Sequence, residues 1–475
     1  MPAHFSSFAS RRIALIVAAA FFMQLLDGVI IATALPQMAL AFGVSVVELS
    51  SGVTVYLLTA TIFIPVSGWL AERFGEKQVF LFAIALFTLA SLACGLSQNL
   101  PQFIAARAVQ GLGGAFMAPV GRMIVLRSAP KSELTRAIAL ITWPALFAPV
   151  IGPAIGGFIT EYFSWHWNFF INLPLGAVGL LLVWRYVPFE DMPNRKPLDW
   201  PGLMFSSLGL ATLLIGLELT VHAPGHTALA LALIAAGIAL GFLSVRHLRR
   251  APAPLLDLTT FRHQTFAITN LFAGTYFRIA INATPFLLPL LFQVGFGLDP
   301  WTSGQLIMAY FLGNLGMKTV TTPLLRIFGF RSILVVNGVL GAGSIVLMAL
   351  LRADTPVVIT VLVLFVAGLT RSMQFTALNT LAFADIDVEQ RASASTLSGM
   401  LQQISVLLGV AFAAGFLGLS SMLRGAPALS MDDFPPTFLV FAAVAFAASL
   451  LMLRIAPDAG EEVSGHNSAA RAAAR

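Results

Sequence analysis

Long apolar runs separated by short charged stretches set the rhythm of this chain. The runs lie at 13–35, 49–71, 79–97, 102–126, 136–160 and 166–187, then at 202–221 and 227–245, then at 264–293, 303–324, 332–351, 356–383, 392–420 and 437–454. Each is close to the roughly 20 residues that cross a bilayer as an α-helix, and the longer ones permit tilt or kinking. The pattern predicts an all-α integral membrane protein with fourteen transmembrane helices. Charged, proline-containing loops at 188–199 and 246–263 bracket the pair 202–221 and 227–245. The expected organisation is an N-terminal segment (1–12), a six-helix bundle (13–187), linker loops with two inserted helices (188–262), a second six-helix bundle (263–454) and a disordered tail (455–475). A weak internal echo suggests that the two bundles are related. Arg73-Phe74-Gly75-Glu76-Lys77 after the second run recurs as Ile327-Phe328-Gly329-Phe330-Arg331 after the tenth, equivalent once the insert is skipped.

Composition agrees with this reading. The chain is 58% hydrophobic and 10% charged, with mean hydropathy +0.88, whereas soluble domains carry roughly 25% charged residues. A net charge of +6 and a pI near 9.9 would suit nucleic acid only if the cations shared one exposed face. They fall instead in alternate loops, which with the N-terminus hold 21 of the 27 basic residues, while the opposite loops hold only Arg352 and Arg424. By the positive-inside rule both termini are cytoplasmic. No cleavable signal peptide is expected, because the first run continues to Pro36 without a small-residue cleavage site. The single cysteine, Cys94, lies in an apolar run and has no internal disulfide partner.

Charges inside the runs are costly, so each is a functional candidate. Four are basic, Arg107, Arg278, Lys318 and Arg371, and one deep residue is acidic, Asp27. Glu161 and Glu218 lie near outer helix ends, where water reaches them. Asp27 and Arg107 both sit roughly 9–12 Å below the outer surface at 1.5 Å per residue. That depth permits an ion pair across a cavity, or separate partners for each. Burial disfavours a charged carboxylate and a neighbouring guanidinium favours it, so a moving pair is a means of taking up and releasing a proton. In the second bundle Arg278 and Arg371 need a cavity or a polar partner, for which Asn282, Gln374 and Asn379 are candidates. Two roles are open to these arginines: binding an anionic substrate, or bracing helix breaks such as one near Pro285. Lys318 either snorkels to the surface or joins them. A further stretch places Pro149, Gly152, Pro153, Gly156 and Gly157 in one apolar run. Such a helix needs a close neighbour, either as a pivot or as a plain packing face.

Several of these segments resemble motifs of the major facilitator superfamily. Gly152-Pro153-Ala154-Ile155-Gly156-Gly157 is similar to its fifth-helix antiporter motif. Trp165-His166-Trp167-Asn168-Phe169-Phe170-Ile171-Asn172-Leu173-Pro174-Leu175-Gly176 resembles the WRWxFxINxPxG signature of the fourteen-span drug:proton antiporter branch, with His166 where Arg is usual. Leu26-Asp27 with Thr33-Ala34-Leu35-Pro36, and Arg107-Ala108-Val109-Gln110-Gly111-Leu112-Gly113-Gly114, resemble first- and fourth-helix motifs, the latter with an arginine implicated in proton coupling. Gly68-Trp69-Leu70-Ala71-Glu72-Arg73-Phe74-Gly75-Glu76-Lys77 is similar to the signature loop between spans two and three. There Gly68 would permit close approach, Gly75 a tight turn, and Glu72, Arg73 and Lys77 a cytoplasmic latch.

The resemblance implies two pseudo-symmetric bundles (6 + 2 + 6) in the plasma (bacterial inner) membrane. It implies a proton-coupled antiporter, most simply a multidrug exporter, with Asp27 and Arg107 in coupling and the 149–157 stretch as hinge. It implies small-molecule substrate and protons as partners, a monomer, no nucleic acid and no cofactor. Alternatives are an exporter of organic anions or anionic metal chelates, and an uncoupled facilitator or receptor with the same fold. No catalytic motif argues for an enzyme. His222 and His226 flank a Pro224-Gly225 loop, so no metal site is expected.

Overall fold

A computed structural model describes residues 7–128, 134–189, 197–222, 227–252, 254–387, 390–425 and 428–466. The side chains at 7–10, 134–139, 142–145, 218, 220–222 and 391–393 lie outside the description, as do Lys131, Arg195, Lys196, Pro224, Gly225, His226, Arg471 and Arg475. The described residues are helical, with no strand among them.

The chain divides into two units. Unit 1 spans Met1–Leu255 and takes in Asp299–Gly304. Its helices are α1 (Ser7–Phe42), α2 (Val46–Phe63), α3 (Val66–Phe74), α4 (Glu76–Gly95), α5 (Leu100–Ser128), α6 (Leu134–Tyr162), α7 (Trp167–Phe170), α8 (Asn172–Tyr186), α9 (Trp200–His222) and α10 (Thr227–Leu248). Unit 2 spans Leu256–Leu298 and Gln305–Arg475. It holds α11 (Gln264–Asn270), α12 (Ala273–Leu290), most of α13 (Pro300–Met317), α14 (Thr321–Leu350), α15 (Val357–Leu381), α16 (Arg391–Leu423), α17 (Phe434–Leu451) and α18 (Glu461–Ser464).

Twelve helices among the described residues are long and apolar enough to cross a membrane. The runs at 136–160 and 303–324 are absent from that set. In the first, the apolar described stretch is only Leu146–Tyr162. In the second, α13 is as long as α2, 18 residues, but its polar start at 300–305 and Asn314 leave it less apolar. The inserted helix α10 is the most open, with 17% of its apolar window buried against 89% for Gln264–Gly295.

The internal echo has a geometric counterpart within each unit. After α3, Gly75 takes φ 99°, ψ 138°; inside α14, Gly329 takes φ 72°, ψ 165° and divides the helix in two. Both conformations disfavour any residue with a Cβ. The sharp turn therefore recurs where the five-residue motif recurs. At the other end of the chain, the disorder expected from residue 455 is not seen up to His466. Glu461–Ser464 is helical, and the His466 ring nitrogen Nδ1 lies 3.0 Å from the Arg326 carbonyl. The tail beyond 466 lies outside the described residues.

Candidate functional site

Glycines on α5 build the centre of unit 1. A methyl at Gly111 would strike the Tyr56 carbonyl of α2, and one at Gly113 would lie 2.8 Å from the Phe87 nitrogen of α4. Helix α5 is thus wedged against both neighbours, as small residues allow in lipid. This brings Arg107 and Gln110, one turn apart, to face α1.

There Arg107 Nη1 lies 2.9 Å from Asp27 Oδ2 and donates to Gln110 Oε1 at 2.6 Å. Gln110 Nε2 donates to Asp27 Oδ1 at 2.9 Å, and Asn172 Nδ2 donates to the same oxygen at 2.8 Å. Ser91 Oγ accepts from Asn172 at 2.9 Å and donates to the Phe169 carbonyl at 3.0 Å. The guanidinium lies 4.1 Å from the centre of the Tyr56 ring. Asp27 is 2% exposed, and Arg107, Gln110, Asn172 and Ser91 are 0% exposed, so the ion pair is sealed in protein. Only Arg107 Nε and Asn172 Oδ1 in this cluster lack a partner among the described residues. Helices α1, α5 and α8 therefore meet at one carboxylate, and α2 and α4 close around its partners through Tyr56 and Ser91.

The aromatic motif positions Asn172. Trp165 packs edge-on against Phe42 at 5.4 Å, and Phe169 against Phe103 at 5.8 Å, with Trp165 and Phe169 both buried. Asn168 ties α7 back to α6 through Thr160 Oγ1 at 2.7 Å. The chain consequently enters α8 with Asn172 aimed at Asp27. His166, standing where Arg is usual, stacks on Trp165 at 3.7 Å and contacts Ser164 Oγ at 2.7 Å.

At the loop between α3 and α4 the charges pair differently from the expectation. Among the described residues, Glu76 pairs with Arg127 at 3.0 Å, and Lys77 Nζ donates to the Trp184 carbonyl at 2.8 Å. Lys77 also lies 3.9 Å from the Phe189 ring centre. Glu72 is half-buried and Arg73 exposed, and neither makes an ion pair with a described residue. The pairing seen at this loop therefore runs through Glu76 and Lys77. The cation at Trp184 also suits the carbonyl-rich end of α8. Gly68 does not serve a close approach: a methyl there would meet nothing within 4 Å.

The stretch from Pro149 to Gly157 lies in one helix, α6, with Pro149 half-buried and Pro153 buried. Gly152 and Gly156 pack on α1, where a methyl at Gly156 would sit 2.9 Å from the Ile30 carbonyl. Gly157 instead meets the Pro300 carbonyl, and Gly304 in turn meets the Pro153 carbonyl. These two glycines let α6 and the first turn of α13 approach backbone to backbone. Gly156 thus packs within unit 1, against Ile30 and Thr33 of α1.

In unit 2 the two arginines differ. The chain breaks between α11 and α12 at Leu271 and Phe272, where Phe272 takes φ −104°, ψ −106°. Arg278 Nη1 donates to the Thr269 carbonyl at 2.6 Å and Nη2 to Asn379 Oδ1 at 2.9 Å, and the residue is 0% exposed. It therefore braces a helix break, at Leu271 and not near Pro285. Gln374, also enclosed, binds the Leu334 carbonyl at 2.9 Å and accepts from Asn337 at 2.8 Å, so it ties α15 to α14 and does not join the arginines. Arg371 is half-buried, and its Nη2 reaches Asn282 Oδ1 only at 3.3 Å. Lys318 is exposed and donates to Thr376 Oγ1 at 2.7 Å.

Known proteins match along nearly the whole chain. The Major Facilitator Superfamily model covers residues 17–410. The Pectobacterium carotovorum protein named "Putative multidrug resistance protein MdtD" is 37% identical over 412 residues, covering 86% of this chain and 87% of its own. Its Escherichia coli O6:H1 namesake is 35% identical over 459 residues, covering 94% and 95%. Among solved structures, a POT family transporter in complex with 5-aminolevulinic acid superposes with TM-score 0.69 at 15% identity, covering 94% and 96%. A D-xylose-proton symporter gives 0.66 at 13% identity, covering 94% and 98%. These neighbours share the fold and are transporters, not enzymes. The chain belongs to the major facilitator superfamily, as a multi-pass membrane transporter whose relatives are named for multidrug resistance.

Proposed function

We propose that this transporter is a proton-coupled exporter of small molecules, an antiporter of the multidrug type. It works as a monomer without a cofactor, through fourteen crossings of the plasma (bacterial inner) membrane, with both termini cytoplasmic. The observation that carries the reading is the sealed Asp27–Arg107 pair around which five helices close. A passive protein has no need of a buried carboxylate held by Arg107, Gln110 and Asn172 at once.

The geometry suits proton exchange because each partner keeps neutral contacts when the pair separates. On protonation of Asp27, Arg107 keeps Gln110 Oε1 at 2.6 Å and the Tyr56 ring face at 4.1 Å. A cation over an aromatic face is stabilised by about 2 kcal/mol or more when desolvated. Protonated Asp27 keeps the amides of Gln110 and Asn172 beside it. Losing the counter-charge in a sealed site still costs about 3–5 kcal/mol, so the exchange needs a rearrangement that admits water at α1 or α5.

The test is full-length protein in liposomes with an internal pH-sensitive dye and an imposed pH gradient. Substrate added from a panel of cationic and anionic compounds should release protons across the membrane and move uphill. Transport with the same rate and direction whether or not the gradient is present would refute coupling.

A further inference from the structure

We propose that Arg371 and Lys318 form a subsite for an organic anion, a carboxylate joined to a planar apolar body, with Phe375 as part of its wall. The proposal rests on the exporter reading and names its substrate class.

The charge pattern requires a counter-ion. Helices α11 to α16 contain no Asp or Glu, yet three cations cluster against the 371–379 stretch of α15. Arg278 is closed off, with both terminal nitrogens bonded at 2.6 and 2.9 Å. Arg371 is not. Its one hydrogen bond among the described residues is the 3.3 Å contact from Nη2 to Asn282 Oδ1, where Arg278 makes two short ones. Lys318 lies in the turn after α13, exposed, and its Nζ donates at 2.7 Å to Thr376 Oγ1, next to Phe375 and on the same helix as Arg371. Two like charges with a single neutral acceptor each destabilise one another, and an anion bound by both removes that cost. Arginine's planar fork suits a carboxylate, while the lysine ammonium adds a point charge.

The body of the ligand is set by what surrounds the guanidinium. Phe375, half-buried, has its ring centre 5.6 Å from it, while Tyr310 and Phe311, at 5.7 and 5.9 Å, are buried and packed on each other. A half-buried ring beside a half-buried cation favours a flat apolar group attached to the acid, since aromatic faces stack on such groups. An inorganic anion would leave that face unused.

The experiment is equilibrium binding to purified full-length protein in detergent, without any gradient, by titration calorimetry. The probes are 1-naphthoate, its uncharged amide and 1-naphthylmethylammonium. Wild type should prefer naphthoate to both. Arg371→Gln and Lys318→Gln should each weaken naphthoate by about tenfold or more, the worth of a hydrogen bond between charged groups. Arg371→Lys should fall between wild type and Arg371→Gln. If Arg371→Gln does not purify folded, Lys318→Gln, at an exposed position, decides. Absence of naphthoate binding, equal binding of all three probes, or unchanged affinity in Lys318→Gln would overturn the proposal. Because no gradient is used, a protein that binds but fails the vesicle flux test would refute coupling and leave the subsite standing.

Discussion

Replacing Asp27 by asparagine separates what the buried pair does for stability from what it does for transport. The carboxylate accepts from three donors: Arg107 at 2.9 Å on one oxygen, Gln110 at 2.9 Å and Asn172 at 2.8 Å on the other. An asparagine offers one acceptor oxygen and one NH2 group. If the oxygen faces Gln110 and Asn172, the NH2 faces the guanidinium. If it faces Arg107, the NH2 meets two amide donors. Either orientation strands at least one buried donor, at about 1–3 kcal/mol, and removes the counter-charge of a fully buried arginine. Breaking such a pair from one side costs about 3–5 kcal/mol. Asp27→Asn should therefore lower the unfolding midpoint of detergent-purified protein as well as abolish uphill efflux. Adding Arg107→Gln supplies a neutral partner whose oxygen can accept from the introduced NH2 group. The double variant should be less destabilised than the sum of the singles by about 3–5 kcal/mol, yet remain inactive. Singles that add without interaction would refute the pairing argument. Uphill efflux retained in either the Asp27→Asn single or the double variant would refute the coupling role.

Three further outcomes follow from particular contacts. Asn172→Leu should cut coupled transport and cost about 1–3 kcal/mol in thermal unfolding, because it removes one of two donors to Asp27 Oδ1; wild-type flux would contradict this. Gly156→Ala should destabilise by about 1–3 kcal/mol, since its methyl meets the Ile30 carbonyl at 2.9 Å, with no change in substrate affinity in the folded fraction. Burial pushes the Asp199 carboxyl up, but hydrogen bonds from Gly202, His247 and Leu255 hold it below the ordinary 3.8. Its stabilisation is complete above that value and is lost as pH falls through the lower folded one, so Asp199→Asn should flatten the acid side of a stability profile below about pH 3.8.

What the sequence makes legible follows how strictly physics constrains each feature. Bilayer thickness constrains span length, so the apolar runs and the all-helical fold are readable directly. Helix rise is constant, so counting from Leu35 and Pro101 brings Asp27 and Arg107 to one depth, and their side chains meet at 2.9 Å. Neutral amides carry no comparable penalty in a membrane helix, and Gln110, Asn172 and Tyr56 are invisible to a search for charge. Their signal lay elsewhere: Gln110 stands one turn beyond Arg107, and Asn172 sits inside the aromatic motif whose rings orient it. Partner choice in the charged loop was not readable, because Glu76 and Lys77 find Arg127 and Trp184 only after α5 and α8 arrive.

The two arginines of unit 2 mark where periodicity runs out. Both lie deep in apolar runs and cost the same to insert on any hydropathy scale. What separates them is a carbonyl freed by the break at Leu271–Phe272, which nothing in the run 264–293 announces. Arg278 lies nine residues beyond Thr269 and takes its carbonyl at 2.6 Å. Arg371 lies in α15, which runs unbroken from Val357 to Leu381 and frees no backbone acceptor for it. Its acceptor among the described residues is the neutral Asn282 Oδ1 at 3.3 Å, a long contact that leaves room for the anion proposed above.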